Sequence, residues 1–250
     1  MGAGMFGFKY HRNLAPHVWD SRTKINPLVR QSLMMIAGEF VRYLGDVVKL
    51  PISPSDIQDA LVHGSITNYY WDKYSDIDLC IVADLSRLRQ MFHGADDTVI
   101  INSLKHSWRR TFRISLYGRG VDLSLVDIND GHDSTHKKVG PSYSLVHDCW
   151  VNTPVRLSAD ELRRMRRVAH VKKRAIMRQC RTMLRQKMLP EYIDTYLVNL
   201  QKIRTQSMYA QYKQPITSMT MAFKMVRNTG ILRQLRRLSK EQRSRKYQLK

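Results

Sequence analysis

Two carboxylates one residue apart, eleven positions after a Gly-Ser pair, are the residues of this chain best suited to chemistry. Residues 64–82 read GSITNYYWDKYSDIDLCIV, with Asp76-Ile77-Asp78 opening a β-branched, apolar run. In a strand, side chains alternate between faces, so Asp76 and Asp78 project one way and Ile77, Leu79 and Ile81 the other. Carboxylates held side by side repel each other unless a cation neutralises them. Such oxygen ligands suit Mg²⁺, which keeps part of its water shell and shares its remaining positions with substrate phosphates. The Gly64-Ser65 turn upstream permits close backbone approach and offers N–H and hydroxyl donors to those phosphates. The arrangement predicts metal-assisted nucleotidyl transfer.

A third carboxylate lies further along. In GVDLSLVD, Asp122 alternates with Val121, Leu123 and Leu125, so it can face a metal while they face a core. Asp127 follows five residues later, on the opposite face and at the far end of the same strand, which favours Asp122. Asp84 reads as a cap for a helix starting near Leu85. Lys73, in the spacer between Gly-Ser and the aspartates, and Arg109, Arg110, Arg113 and Arg119 are the cations available to a triphosphate. Sequence alone does not choose among the arginines. Tyr69, Tyr70, Trp71 and Tyr74 crowd the same spacer, and packing beneath the turn is a commoner use of such rings than base stacking. His132 and His136, with Asp130 and Asp133, read as solvated loop residues and not as a metal cluster.

The elements that must position these groups follow from local signals. Asn26-Pro27 starts a helix, with apolar residues at helical spacing up to Leu44 and Gly45 as its end. A strand over 57–63 delivers the chain to Gly64, and a second covers 76–82. Helices are expected around 85–92 and 97–108, then strands near 112–116 and 121–128. This predicts an α/β fold: a mixed sheet of three to four strands with helices on one face. Residues 1–25 are expected to form an N-terminal arm anchored by Leu14 and Trp19. Residues 26–155 would be the catalytic domain, with 129–157 as a connector.

The motifs resemble those of the nucleotidyltransferase superfamily that includes polymerase β, poly(A) polymerases and antitoxin-type enzymes. Its pattern of an apolar residue, Gly-Ser, a spacer and Asp-apolar-Asp is matched by Val62-His63-Gly64-Ser65 and Asp76-Ile77-Asp78-Leu79. His63 departs from it, standing where an apolar residue or Thr is usual. Four segments in order, from LAPHVWDSRTKINPLVRQSLMMIAGEFVRYL to FKMVRNTGILRQL, are similar to a phage-associated family of predicted nucleotidyltransferases, a likeness covering most of residues 13–238. The third acid of that family is often Glu, so Asp122 has a shorter reach. The resemblance implies a nucleotidyltransferase core that moves a nucleoside monophosphate from an NTP to an acceptor hydroxyl and releases pyrophosphate. It implies two Mg²⁺ ions, with Mn²⁺ as an alternative, on Asp76, Asp78 and Asp122. It implies Gly64 and Ser65 under the β- and γ-phosphates, and it names no acceptor.

Charge divides the chain. Residues 156–250 hold 25 Lys and Arg against 5 Asp and Glu, while residues 1–155 are nearly balanced. The capping box Ser158-Ala159-Asp160-Glu161 opens a basic helix that ends at Pro190. Tyr192–Met208 and Thr217–Asn228 follow as helices, the first burying Ile193, Tyr196, Leu197, Leu200 and Ile203. Gly230 reads as a cap and the tail from Arg233 as fraying. A basic α-helical domain of this charge favours nucleic acid, and RNA first because RNA is a frequent acceptor in the superfamily resembled. A nucleic-acid-binding protein without catalysis, and an enzyme that modifies a protein side chain, are the alternatives. Three scattered cysteines, no secretory signal and no long uncharged apolar stretch predict a cytoplasmic protein, in a host cytoplasm if phage-encoded, with no membrane partner.

Overall fold

Asn26 starts the first helix as its spacing predicts: the side-chain oxygen accepts from the N–H groups of Leu28 and Val29. Helix α1 (Pro27–Arg42) follows in the computed structural model, which describes residues 8–21, 23–92, 97–129, 140–210 and 216–248. Gly45 does not end this helix. The chain passes into a π-helical turn over Tyr43–Val47, and Gly45 is needed because the Ile52 carbonyl oxygen would lie 2.4 Å from any Cβ there.

Tyr10–Val155 forms one compact unit and Arg156–Lys250 belongs to another. The first is built on a six-stranded mixed sheet in the order β3-β4-β2-β1-β5-β6. Its strands are β1 (Ile57–His63), β2 (Ile77–Ala83), β3 (Ser115–Leu116), β4 (Arg119–Asp127), β5 (Ser142–Ser144) and β6 (Cys149–Asn152). Only β2 and β4 run parallel, joined through α2 (Ser86–Met91) and α3 (Asp97–Thr111). The expectation of three to four strands is therefore corrected. The extra pair, β5 and β6, comes from the segment read as a connector. Strands of three and four residues carry too little alternation to be read locally. Tyr143 is fully buried, edge-on to Trp19 and Trp150, which stack 4.6 Å apart.

Burial separates the two faces of the sheet. Val62, Ile77, Leu79, Ile81, Leu123 and Leu125 join Leu33, Ala37, Phe40 and Val41 of α1 and Trp108 of α3 in the main core. The opposite face carries a small cluster of Leu61, Cys80 and Val82. Burial pushes the Cys80 thiol up to about 11, as expected of a packing residue. Leu14 and Trp19 anchor the N-terminal segment, as expected. Leu14, Ala15, Val18 and Trp19 are buried in the main core, and the Trp19 indole donates to the Ile66 carbonyl at 3.0 Å. Its sequence has no period because it follows the surface of the sheet unit rather than its own axis.

The second unit is helical. Ser158 and Glu161 form the expected capping box at the start of α4 (Ala159–Arg185), which buries a seam of Ala169, Ile176, Cys180 and Met183. Pro190 opens α5 (Pro190–Ala210), where Ile193 and Leu200 are buried but Ile203 is exposed. Thr217 caps α6 (Ser218–Asn228), which is buried from Met219 to Val226. Gly230 then turns the chain with φ +81 into α7 (Ile231–Gln248). The tail expected to fray is this helix. Leu232 and Leu235 are buried, and the Ser239 hydroxyl donates to Asp194 of α5 at 2.9 Å. Among the described residues no helix is long and apolar enough to cross a membrane.

Candidate functional site

Strand register brings the candidate acids together. Across β1, β2 and β4, His63 pairs with Asp78 and Asp78 with Asp122, so the three form one row on one face of the sheet. Neighbouring strands lie about 4.8 Å apart, which puts the carboxylates of Asp78 and Asp122 side by side. The next row on that face is Leu61, Cys80 and Ser124, apolar or small, so the polar row sits on an insulating floor. Asp76 lies just before β2, not within it as expected, and is exposed. Its Oδ1 would be 3.3 Å from a Cβ on Gly120 at the start of β4, so it too lies at this end of the β2–β4 pair.

Gly64 is held against this row. Its φ is +86, and a Cβ there would lie 1.9 Å from the Asp78 Oδ2. Only glycine meets both demands. The Gly64 carbonyl accepts from the Thr67 hydroxyl at 2.8 Å and the Asn68 amide at 3.1 Å, so the turn is locked from inside. Ser65 donates its hydroxyl to Ser75 at 2.8 Å, and Ser75 accepts from the Asp72 N–H at 2.9 Å. As the structure stands, Ser65 ties the turn to the spacer that carries Asp76.

The arginine question, open in the sequence, has two answers here. Arg119 donates from one guanidinium nitrogen to the carbonyls of Asp72 at 2.9 Å and Ser75 at 2.8 Å, and it lies over the Trp71 ring. Burial pulls its pKa down, while the carboxylates of Asp72 and Asp76 oppose that shift. Arg119 clamps the spacer. Arg109 instead reaches Asp122 Oδ1 at 3.4 Å, beside Lys105 at 3.5 Å. Lys105 was not singled out from the sequence. The signal was present in its i,i+4 spacing with Arg109 on a helix whose Trp108 must face the core. Lys73 is exposed over the Tyr74 ring, and Tyr69 and Tyr70 are buried as packing residues.

The remaining acids have local uses. Asp127 is buried on the core side, accepting from the Leu85 N–H at 3.3 Å and pairing with Arg89 at 3.2 Å. Asp84 accepts from the N–H and hydroxyl of Ser86 at the start of α2, which holds its carboxyl below the usual range. Asp130, His132, Asp133 and His136 lie outside the described residues.

Among the described residues, no three His, Cys, Asp or Glu side chains gather closely enough to cage an ion as they stand. The donor chemistry nonetheless fits Mg²⁺: hard carboxylate oxygens, half-buried at Asp78 and Asp122 and exposed at Asp76, at a sheet end. Asp122 is engaged by two cations, which supply the neutralisation that carboxylates in register require. Comparison with known proteins found no family model, no curated protein and no solved structure that matches this chain.

Proposed function

We propose that this chain is a Mg²⁺-dependent nucleotidyltransferase that moves a nucleoside monophosphate from an NTP to an acceptor hydroxyl, with RNA the favoured acceptor. The observation that carries this reading is the register of Asp78 beside Asp122, with the Gly64 turn packed against the Asp78 carboxylate. Asp76, Asp78 and Asp122 would hold the metal. When bound, Mg²⁺ neutralises phosphate charge and makes the acceptor hydroxyl a better nucleophile at neutral pH. The acceptor hydroxyl gives up its proton to solvent as its oxygen forms a bond to the α-phosphorus, the bond from that phosphorus to the bridging oxygen breaks, and pyrophosphate leaves with the electron pair. Gly64, with its open backbone, and Ser65 border the space for the β- and γ-phosphates.

In this reading Lys105, which the sequence did not suggest, joins Arg109 as a cation for the triphosphate. A triphosphate offers them more negative charge than Asp122 does, so they would transfer to its oxygens and release Asp122. Replacing both, as Lys105→Met with Arg109→Gln, is expected to raise the KM for NTP about tenfold, the worth of one charge-assisted hydrogen bond. Steady-state kinetics with each NTP checks this, and an unchanged KM would leave the two cations as fold-stabilising only.

The test of the function is label transfer. Protein, Mg²⁺ and each α-labelled NTP are incubated with cell lysate, with the Asp76→Asn/Asp78→Asn double variant as the blank. Label entering RNA only with intact aspartates is the expected result. Label entering protein would keep the enzyme and change the acceptor. The ion pairs on Asp122 favour a second reading, a nucleic-acid-binding protein on the same scaffold without catalysis. No transfer with any NTP, together with metal-independent RNA binding, would establish that one.

A further inference from the structure

We infer that a groove on α4 binds the phosphodiester backbone of single-stranded nucleic acid. The groove, of about 860 Å³, runs beside the C-terminal half of the helix and is walled by Lys173, Arg174, Arg178, Arg181 and Arg185. The four arginines are exposed, and the 4-3-4 spacing from Arg174 to Arg185 keeps them on one stripe. At 1.5 Å per residue, successive rungs stand about 4.5 to 6 Å apart and the ladder is about 16 Å long. That is the order of the separation between consecutive phosphates of an unpaired strand. Guanidinium forks match phosphate oxygens in a bidentate way, so each rung can take one phosphate.

The floor decides what kind of strand is bound. Met177 and Leu184 lie between the arginines with the hydroxyls of Thr182 and Thr229. Among the described residues no aromatic ring and no carboxylate lines the groove, so these residues offer sugars an apolar and hydroxyl bed but no stacking platform. Binding is therefore indifferent to base identity. A duplex presents a convex surface and an anionic membrane a flat one, whereas an unpaired strand can bend to follow a concave wall. The inference rests on the reading of the basic unit as a nucleic-acid-binding half, and it does not depend on catalysis.

Fluorescence anisotropy of the full chain with a labelled twelve-nucleotide oligouridylate, across a salt series, tests this without NTP or divalent cation. The variant Arg174→Gln/Arg178→Gln/Arg181→Gln/Arg185→Gln is expected to weaken binding at least about tenfold and to lower the salt slope by about 3. The milder Arg178→Gln/Arg181→Gln pair should lower the slope by about half as much, with circular dichroism unchanged for both. Arg163→Gln/Arg167→Gln, on exposed positions of α4 outside the groove, should change the slope little. Equal weakening by this control pair would overturn the groove as the site. Equally tight, equally groove-dependent binding of a twelve-base-pair duplex would overturn the single-strand assignment. Capture by phosphatidylserine vesicles with no RNA binding would overturn nucleic acid altogether. Because no NTP is present, failure here leaves nucleotidyl transfer standing, and failure of transfer leaves this measurement intact.

Discussion

Asp78→Asn is expected to abolish the proposed nucleotidyl transfer, lowering turnover by about a thousandfold or more, while the unfolding midpoint stays within a few degrees of the parent. The expectation follows from where Asp78 sits. It is the middle member of the His63–Asp78–Asp122 row, half-buried, with Gly64 packed against its carboxylate. Asparagine keeps the shape that Gly64 requires and removes the charge that a cation requires. Lys105 and Arg109 at Asp122 offset the repulsion within the row, so removal of one carboxylate is expected to change stability little. Stability should therefore be nearly unchanged while activity disappears, a pairing that a purely structural role would not produce. Asp84→Asn is the matched control, since that acid caps the start of α2. Full transfer activity in Asp78→Asn would sink the proposed mechanism.

Gly64→Ala should lose both stability and activity. An L-residue held at φ +86 costs about 1–2 kcal/mol. The added methyl also meets the Asp78 oxygen at 1.9 Å, so either the turn or the carboxylate must move. A midpoint lowered by about 5 °C and transfer reduced by at least about tenfold are the expected readings, by thermal unfolding and label transfer. Gly230→Ala separates the two contributions. Its φ is +81 and nothing lies within 4 Å of a Cβ there, so it incurs the backbone cost alone. If Gly64→Ala behaves like Gly230→Ala, with a lowered midpoint and full activity, the turn has no part in the site.

The local features of this chain were legible where a short window carries the physics. Asn26-Pro27, the Ser158–Glu161 box, Thr217 and Gly230 mark helix ends because capping involves atoms three or four residues apart. Asp78 opposite Leu79 and Ile81, and Asp122 opposite Leu123 and Leu125, follow from the two-residue period of a strand. The separation of a balanced half from a basic half is composition alone.

What the sequence left open depends on partners distant along the chain. Alternation says that Asp78 and Asp122 each face away from a core, but only the parallel pairing of β2 with β4 makes them neighbours in one row. The same non-local hydrogen bonding placed β5 and β6 in the sheet, where three and four residues carry no readable period. Leu14 and Trp19 were legible as anchors of residues 1–25, but the burial of Ala15 and Val18 beside them was not, because it is set by the sheet unit and not by their own spacing. The tail after Arg233 looked too basic to pack, yet Leu232, Leu235 and Ser239 suffice for a helix that neighbouring helices cover. Among the arginines, type was visible and assignment was not. Arg119 and Arg109 differ only in what the fold brings within reach: the carbonyls of the spacer for one, the carboxylate of Asp122 for the other.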